Sequence, residues 1–486
     1  MIGVRRASIG AKRSHPPRVT IDSWAPCSTH SPLGGGAMAK APLVSIRRVA
    51  QGTAALVSIA LVSTMSTISL AAPAGASAAD TTCGAPAKAT SSELSSTTGI
   101  TKTSVQVGNV SIISGPVPGL FQGAPYGAEA YFAYVNAHGG VNGRTINLHS
   151  MDDGFSGTQN EAETQSAAAS DFATVGSFSL FDNYSCSVIA KNPALADVSA
   201  TLDPTTNALP NVFSAQPISQ GAPLAGYEYL KKLYPKAIGH VGTLVADATT
   251  ALAQWQGQEA AMKHAGYRFS YIREISPLES DFTTDVINMK NKGVKMVLVS
   301  DDTAASYAAL QAEMTQQGFH PQVVLSNGPI YTPTYVTAAG GPTSANGTWL
   351  IQDLALYLGQ DAKAVPAVAQ FDAWMKKTHP KFVPDLYSVF GWASAEMFTQ
   401  ALRAAGPHPT RGSLLTQLRK ITSFDAGGLV APANPAKKLP PNCVLFSRIL
   451  NAKFTRVAPT PHRGWDCSQP YYSIHGPLKK VNPPSS

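Results

Sequence analysis

Cysteine is scarce in this chain, and its body carries almost no surplus of charge. Five cysteines occur in 486 residues. None forms a Cys-x-x-Cys pair or accompanies a paired-histidine spacing, so no structural metal site is expected. The formal charge of +8 would argue for an anionic partner if it were spread over the chain. It is not: residues 1–78 hold eight basic residues (Arg5, Arg6, Lys12, Arg13, Arg18, Lys40, Arg47, Arg48) against one acid, Asp22. From Ala79 onward, 29 basic residues face 28 acidic ones. A body so close to neutral lacks the basic face that nucleic acid requires.

Catalytic signatures are missing as well. The nearest approach to a Gly-x-Ser-x-Gly elbow, Gly176-Ser177-Phe178-Ser179-Leu180, lacks the final glycine. No His-Glu-x-x-His, phosphate loop or dinucleotide fingerprint occurs. The expectation is a protein that is not an enzyme and needs no cofactor. A secreted hydrolase would require a nucleophile–base pair that the sequence does not display.

Long apolar runs are confined to one place. Met38 opens a stretch with Lys40, Arg47 and Arg48, followed by an uncharged run to Ala79 that ends in Ala76-Ser77-Ala78. A basic start, an apolar middle and a small-x-small end form a cleavable export signal. The hydroxyls at Ser58, Ser63, Thr64, Ser66, Thr67 and Ser69, with Pro73, argue against a membrane anchor. Asp80-Thr81-Thr82 before Cys83 lacks the residue types of a lipidation site. The protein is therefore expected outside the cytoplasm. Residues 1–37 are Pro/Gly-rich and aperiodic, read as an untranslated or disordered leader, with Met38 the true start in the first case.

Export gives the remaining four cysteines an oxidising setting. Three pairings are open to Cys83, Cys186, Cys443 and Cys467. The last two flank a hairpin read at 444–450 and 453–457, turning at Asn451-Ala452, so joining them is the local choice and leaves Cys83 for Cys186.

What the sequence has in quantity is rhythm. Apolar strands at 105–110, 145–151, 173–176 and 195–199 alternate with helices near 121–138, 158–170 and 184–192. The pattern repeats with strands at 238–245, 268–275, 294–299 and 322–326 and helices near 251–265, 281–291 and 303–317. Such alternation predicts α/β architecture: two doubly wound parallel-sheet lobes with a hinge and a cleft between them. No residue-level repeat relates the two runs. Further helices are expected near 365–378 and 386–405, the latter with a core stripe of Leu386, Phe390, Ala393, Met397 and Ala401. The segment 426–442, with Gly427-Gly428 and four prolines, reads as a linker.

The expected organisation is thus a leader at 1–37, a signal peptide at 38–79, a linker at 80–101, lobe one at 102–220 and lobe two at 221–348. The chain would then return to lobe one over 349–428 and to lobe two over 429–471 with the disulfide hairpin, leaving a tail at 472–486.

Open α/β sheets bind ligands beyond the carboxyl ends of their strands. In lobe one those ends supply 111–116, the loop Ser177-Phe178-Ser179 and the run Ser199-Ala200-Thr201, whose hydroxyls and free N–H groups suit a carboxylate. In lobe two they supply 247–250, Asp301-Asp302 and 327–331. Phe121 and Tyr331 are candidates to cover an apolar part of the ligand. Asp152-Asp153 and Asp301-Asp302 follow strands, where aspartate caps free N–H groups.

At these residues the chain resembles a known family. Val107-Gly108, Ser114-Gly115-Pro116, the run Val135-Asn136-Ala137-His138-Gly139-Gly140-Val141-Asn142-Gly143-Arg144 and then Asp152-Asp153 are similar to the opening of leucine/isoleucine/valine-type solute-binding proteins of ABC transporters. The resemblance spans about residues 102–470, and is stronger in the first lobe. It implies the type I periplasmic-binding fold, a monomer, a small-molecule ligand and an ABC permease in the membrane as partner. By motif, the ligand's carboxylate and amine would meet Ser177, Phe178, Ser179, Ser199, Ala200 and Thr201, with Phe121 as an aromatic wall.

Two departures bear on the ligand. Asp247-Ala248-Thr249-Thr250 stands where the family often has Tyr-Gly, and Gly328-Pro329 is followed by Ile330 and Tyr331, with no acid. A buried ammonium without a counter-charge is costly. Either Asp247 or Asp301 replaces the missing acid, or the ligand is an amide, a carboxylic acid or an aromatic compound. A ligand-sensing receptor of the same fold is the alternative role.

Overall fold

The computed structural model describes residues 83–300, 303–459 and 464–476. The leader, signal peptide, Asp301 and the end of the tail lie outside the described residues.

The first sheet holds β1 (Ser104–Ser111), β2 (Thr145–Asp152), β3 (Ala173–Val175) and β4 (Ala196–Val198) in the order β2-β1-β3-β4, all parallel. Val105, Val107, Val110, Val175 and Val198 are buried on it, as expected where helices cover both faces of a parallel sheet. Its helices are α1 (Gly123–Ala137), α2 (Gly157–Ser170) and α3 (Asp182–Lys191). The Gly-Gly and Asn-Gly pairs of the family-like run have a conformational basis. Gly140 has φ 69°, and a Cβ there would fall 2.0 Å from the Arg144 carbonyl oxygen. Asn142 and Gly143, at φ 50° and 78°, form the tight turn that lets Val141 and Arg144 exchange backbone hydrogen bonds.

The second sheet has seven strands. After β5 (Gly221–Pro223) and α4 (Leu224–Leu233) come β6 (Val241–Ala246), α5 (Thr249–His264), β7 (Phe269–Ile275), α6 (Thr283–Asn291), β8 (Met296–Ser300), α7 (Ala304–Gln316), β9 (Val323–Ser326) and β10 (Trp349–Gln352). The chain then forms α8 (Pro366–Thr378), α9 (Leu386–Ala404) and α10 (Arg411–Leu418). It ends in the hairpin β11 (Leu445–Leu450), β12 (Lys453–Ala458) and in β13 (Tyr471–Ser473). The sheet order is β12-β11-β10-β9-β8-β6-β7, parallel from β10 to β7 and antiparallel through the hairpin; β13 pairs with β5.

Helices α8 and α9 pack on α1, through ring contacts such as Tyr134–Trp374 and Tyr131–Trp392. The chain thus passes between lobes three times. One boundary differs from the expected 348/349: Trp349–Gln352 belongs to the second sheet, because it pairs with β9 and β11. The expected linker at 426–442 is also no loose connection. Leu429, Val430 and Ala431 are fully buried. Ala431 N–H donates to the Asp353 carbonyl at 2.7 Å, Ala355 N–H to that of Leu429 at 2.9 Å, and Gln216 Nε2 to that of Ala431 at 2.8 Å. Three crossing segments laced side by side make the hinge.

Cys83 pairs with Cys186 and Cys443 with Cys467. Among the described residues no helix is long and apolar enough to cross a membrane.

Candidate functional site

Both sheets point the carboxyl ends of their strands at one another. In the first, β1 has β2 on one side and β3 on the other; in the second, β6 lies between β7 and β8. These are switch points, where the loops of neighbouring strands part and leave a crevice. Two adjoining cavities fill that crevice, of about 260 Å³ and about 230 Å³. Both are lined by Phe178, Leu202 and Phe390 from the first lobe and by Gln254, Asn327, Ile351 and Gln352 from the second, with Asp353 at the hinge.

The first-lobe wall is aromatic. Phe121 lies with its ring centroid 4.7 Å from Phe178 and 4.5 Å from Tyr387, Phe178 lies 4.9 Å from Tyr387, and Phe390 stacks on Phe178 at 5.9 Å. Leu120, Phe155, Leu180 and Leu386 extend the surface. Two of these side chains come from the stripe read as core on α9. Ala393, Met397 and Ala401 are core, whereas Leu386 and Phe390, at the start of the helix, open onto the cavity.

The expected hydroxyls do converge, but chiefly behind this wall. Ser177, Ser179, Ser199 and Thr201 surround a void of about 20 Å³ inside the first lobe, room for roughly one water. Ser177 Oγ accepts from Val110 N–H at 3.0 Å. Ser179 Oγ donates to Asp153 at 2.5 Å, Thr201 Oγ1 to Asp182 at 2.6 Å, and Ser199 Oγ to Asp197. Burial raises all three carboxyls, Asp182 to about 8 with the nearby charge of Asp203 contributing. Of the expected first-lobe residues, Phe121, Phe178, Ala200 and Thr201 line the main cavities.

In the second lobe the placement differs more. Tyr331 is wholly buried, its ring 4.8 Å from Tyr357 and 5.0 Å from Phe454, and its hydroxyl donates to Gln360. It is a core residue of that lobe and covers no part of the crevice. Asp247 is exposed, its N–H donating to the Ile275 carbonyl at 2.7 Å, and it lines neither cavity. Among the described residues the acid that lines them is Asp353, which the sequence reading missed. It follows β10 directly, as Asp153 follows β2, and an acid at a strand's carboxyl end was the available signal. Burial pushes its carboxyl up to about 6.

Hydrogen bonds between described residues cross the crevice. Thr250 Oγ1 donates to the Leu180 carbonyl at 3.1 Å, and Gln254 Nε2 to that of Leu202 at 3.0 Å. Each contributes about 1 kcal/mol net. The double variant Thr250→Val/Gln254→Leu should therefore shift the ligand-free protein toward an open form. Small-angle scattering would register a larger radius of gyration, and an unchanged value would show that these bonds do not govern closure.

The comparisons agree with this geometry. A family model described as periplasmic binding protein matches residues 104–451. The chain belongs to the periplasmic binding protein family. Membership brings a solute-binding role and an extracytoplasmic location. No curated protein matches the sequence. Solved structures share the fold at low identity. A fatty acid ABC transporter substrate-binding protein from Thermomonospora curvata superposes with TM-score 0.65 at 17% identity, over 74% of this chain and 92% of that one. A substrate-binding periplasmic protein from Ralstonia solanacearum gives 0.62 at 19%, over 73% and 100%. A leucine-binding protein from Thermotoga maritima gives 0.60 at 15%, over 73% and 98%.

Proposed function

We propose that this protein captures a largely apolar small molecule between its lobes and delivers it to an ABC permease. The observation that carries this reading is the pair of adjoining cavities walled by Phe121, Phe178, Tyr387 and Phe390 at both switch points. Burying an aromatic or alkyl body there supplies the driving force, at about 25 cal/mol per Å². Second-lobe contacts form only on closure, so the ligand shifts an open–closed equilibrium by its differential affinity.

A free α-amino acid, the ligand class the resemblance implied first, fits this crevice poorly. Its carboxylate would find no Lys, Arg or His among the described lining residues, and the nearby hydroxyls of Ser179, Ser199 and Thr201 already donate to buried aspartates. One fold neighbour, the Thermomonospora curvata protein, is described as serving a fatty acid transporter, a ligand whose alkyl body, though not its carboxylate, matches this lining. Export through the signal at 38–79 would put the protein where such a permease is met.

The test is a thermal-shift screen of apolar amines, alcohols, acids and aromatics on the mature chain. A ligand at a hundred times its Kd stabilises by about 2.7 kcal/mol, a readable shift. Phe390→Ala should weaken the hit at least tenfold by calorimetry. A hit that binds Phe390→Ala with undiminished affinity would place the site elsewhere.

A further inference from the structure

We infer that the larger cavity is a chamber for an unbranched alkyl chain, walled by the C-terminal strap, so that the ligand is an elongated molecule with an aromatic head against Phe121 and Tyr387 and an alkyl tail under Tyr471. This rests on the crevice being the solute site, and it names the shape and class of solute that site selects.

The two cavities adjoin but are walled differently. Phe121, Phe155 and Tyr387 line the smaller and not the larger, whereas the larger has the aliphatic side chains of Ile218, Leu298, Leu325 and Val444 and the pyrrolidine rings of Pro217 and Pro223. Aromatic faces and edges give a ring directional contacts, while an aliphatic wall offers only the non-directional burial that a chain can use. Each cavity by itself, at about 260 and about 230 Å³, falls short of the roughly 300 Å³ at which small-molecule pockets begin. One molecule reaching through both meets that size. A compact solute would fill one cavity and leave the apolar lining of the other against water, forgoing the stabilisation its burial supplies.

One wall of the larger cavity lies beyond the family-matched residues, which end at 451: Tyr471, on β13, lines it. The strap that carries Tyr471 is tied down at both ends. The Cys443–Cys467 bond holds its start, where Val444 and Asp466 exchange backbone hydrogen bonds of 3.0 and 2.8 Å. Further on, Leu224 N–H donates to the Pro470 carbonyl at 3.1 Å, Ile474 N–H donates to that of Gln220 at 2.7 Å, and β13 pairs with β5. The Tyr471 hydroxyl donates to the Ser219 carbonyl at 3.2 Å. Its ring lies over Gly221, where a Cβ would fall 2.5 Å from Cε1, so the ring comes this close only because the residue is glycine. A segment fixed by a disulfide and a strand pair is a permanent wall, not a moving lid. Such a wall sets how long a tail the chamber takes, and chain length is therefore what the site selects.

The experiment is calorimetric titration of the unmodified mature protein with 4-ethylphenol, 4-butylphenol and 4-hexylphenol, which share a ring and differ only in chain length. A fully buried methylene tightens binding about fourfold, so the hexyl compound should bind at least about thirtyfold tighter than the ethyl one. That ratio, and not the affinity for either compound, is the readout. Ile218→Trp, which puts a ring into the chamber, and Tyr471→Ala, which removes part of its wall, should each lower the ratio at least about fivefold, the worth of one to two buried methylenes. A smaller ratio in the unmodified protein, or one that either variant leaves closer to the parent's, overturns the inference. In that case Phe390→Ala still decides the crevice reading, since it weakens whichever phenol binds. Binding by no phenol of the series also overturns the inference, and Phe390→Ala tested on the hit of the thermal-shift screen then decides the reading. Should Ile218→Trp fail to fold, Tyr471→Ala decides, its side chain being only half-buried on a short outer strand.

Discussion

Replacing Cys83 and Cys186 together by serine is expected to lower the unfolding free energy by about 4–5 kcal/mol. The two are 103 residues apart in sequence, and a loop of that length costs about 4.7 kcal/mol to close in the chain-entropy model. The bond also sits on packing of its own. Cys83 and Cys186 are buried with Ile189, Ala190, Leu209 and Val212, and the chain beyond Cys83 lies against α3, where Ala87 N–H donates to the Ala190 carbonyl at 2.9 Å. Loss of the bond frees this segment from the helix whose first residue, Asp182, accepts from Thr201 at the crevice edge. Cys443 and Cys467 close a shorter loop, 24 residues apart, so their replacement should cost about 1 kcal/mol less by the same model. Denaturant unfolding of the two double-serine variants measures both. A first pair that proved the cheaper to lose would refute the loop argument.

The legible parts of the fold were those where burial leaves a continuous apolar run. β6, Val241–Ala246, is buried at every position, and its six residues carry no side chain more polar than Thr243. The parallel strands were readable for that reason, as was the hairpin, where Asn451 and Ala452 both adopt left-handed conformations at its turn. Trp349–Gln352 was missed as a strand because four residues with a polar end do not distinguish strand from loop. Its identity comes from β9 and β11, far away in sequence. The 426–442 segment misled for a related reason: glycines and prolines there serve a buried crossing, and a crossing has no period.

The site shows the same division. The loops at 177–179 and 199–201 were legible as segments that follow strand ends and so lie toward the crevice. Which way each side chain faces was not, since neighbours in an extended loop point to opposite sides. Phe178 therefore faces the crevice while Ser179 donates to Asp153 behind it. Phe390 carried no distinguishing mark either. The stripe to which it belongs is core for most of its length, and only the packing of α9 against α1 brings its first turn to the cavity.

That packing yields the second large effect. Where α1 and α9 cross, Gly127 and Gly391 bring the backbones together: a Cβ on Gly391 would fall 2.0 Å from the Ala124 carbonyl oxygen, and one on Gly127 would fall 1.9 Å from that of Ser388. Neither neighbour is a flexible side chain that could turn aside. Gly391→Val must therefore drive the helices apart, at a cost of about 3 kcal/mol. The displaced helices carry the cavity wall, with Phe121 just before α1 and Tyr387 and Phe390 in the first turns of α9. Affinity should fall along with the melting temperature. Gly239→Ala is the control, because a Cβ there meets nothing within 4 Å, and its stability should stay within about 0.5 kcal/mol of the parent. A Gly391→Val protein that melted with its parent and bound ligand as tightly would mean that the aromatic wall is not set by this crossing. Retained stability with lost affinity would instead mean that the helices yield locally, and that the wall is the most sensitive reporter of how closely they approach.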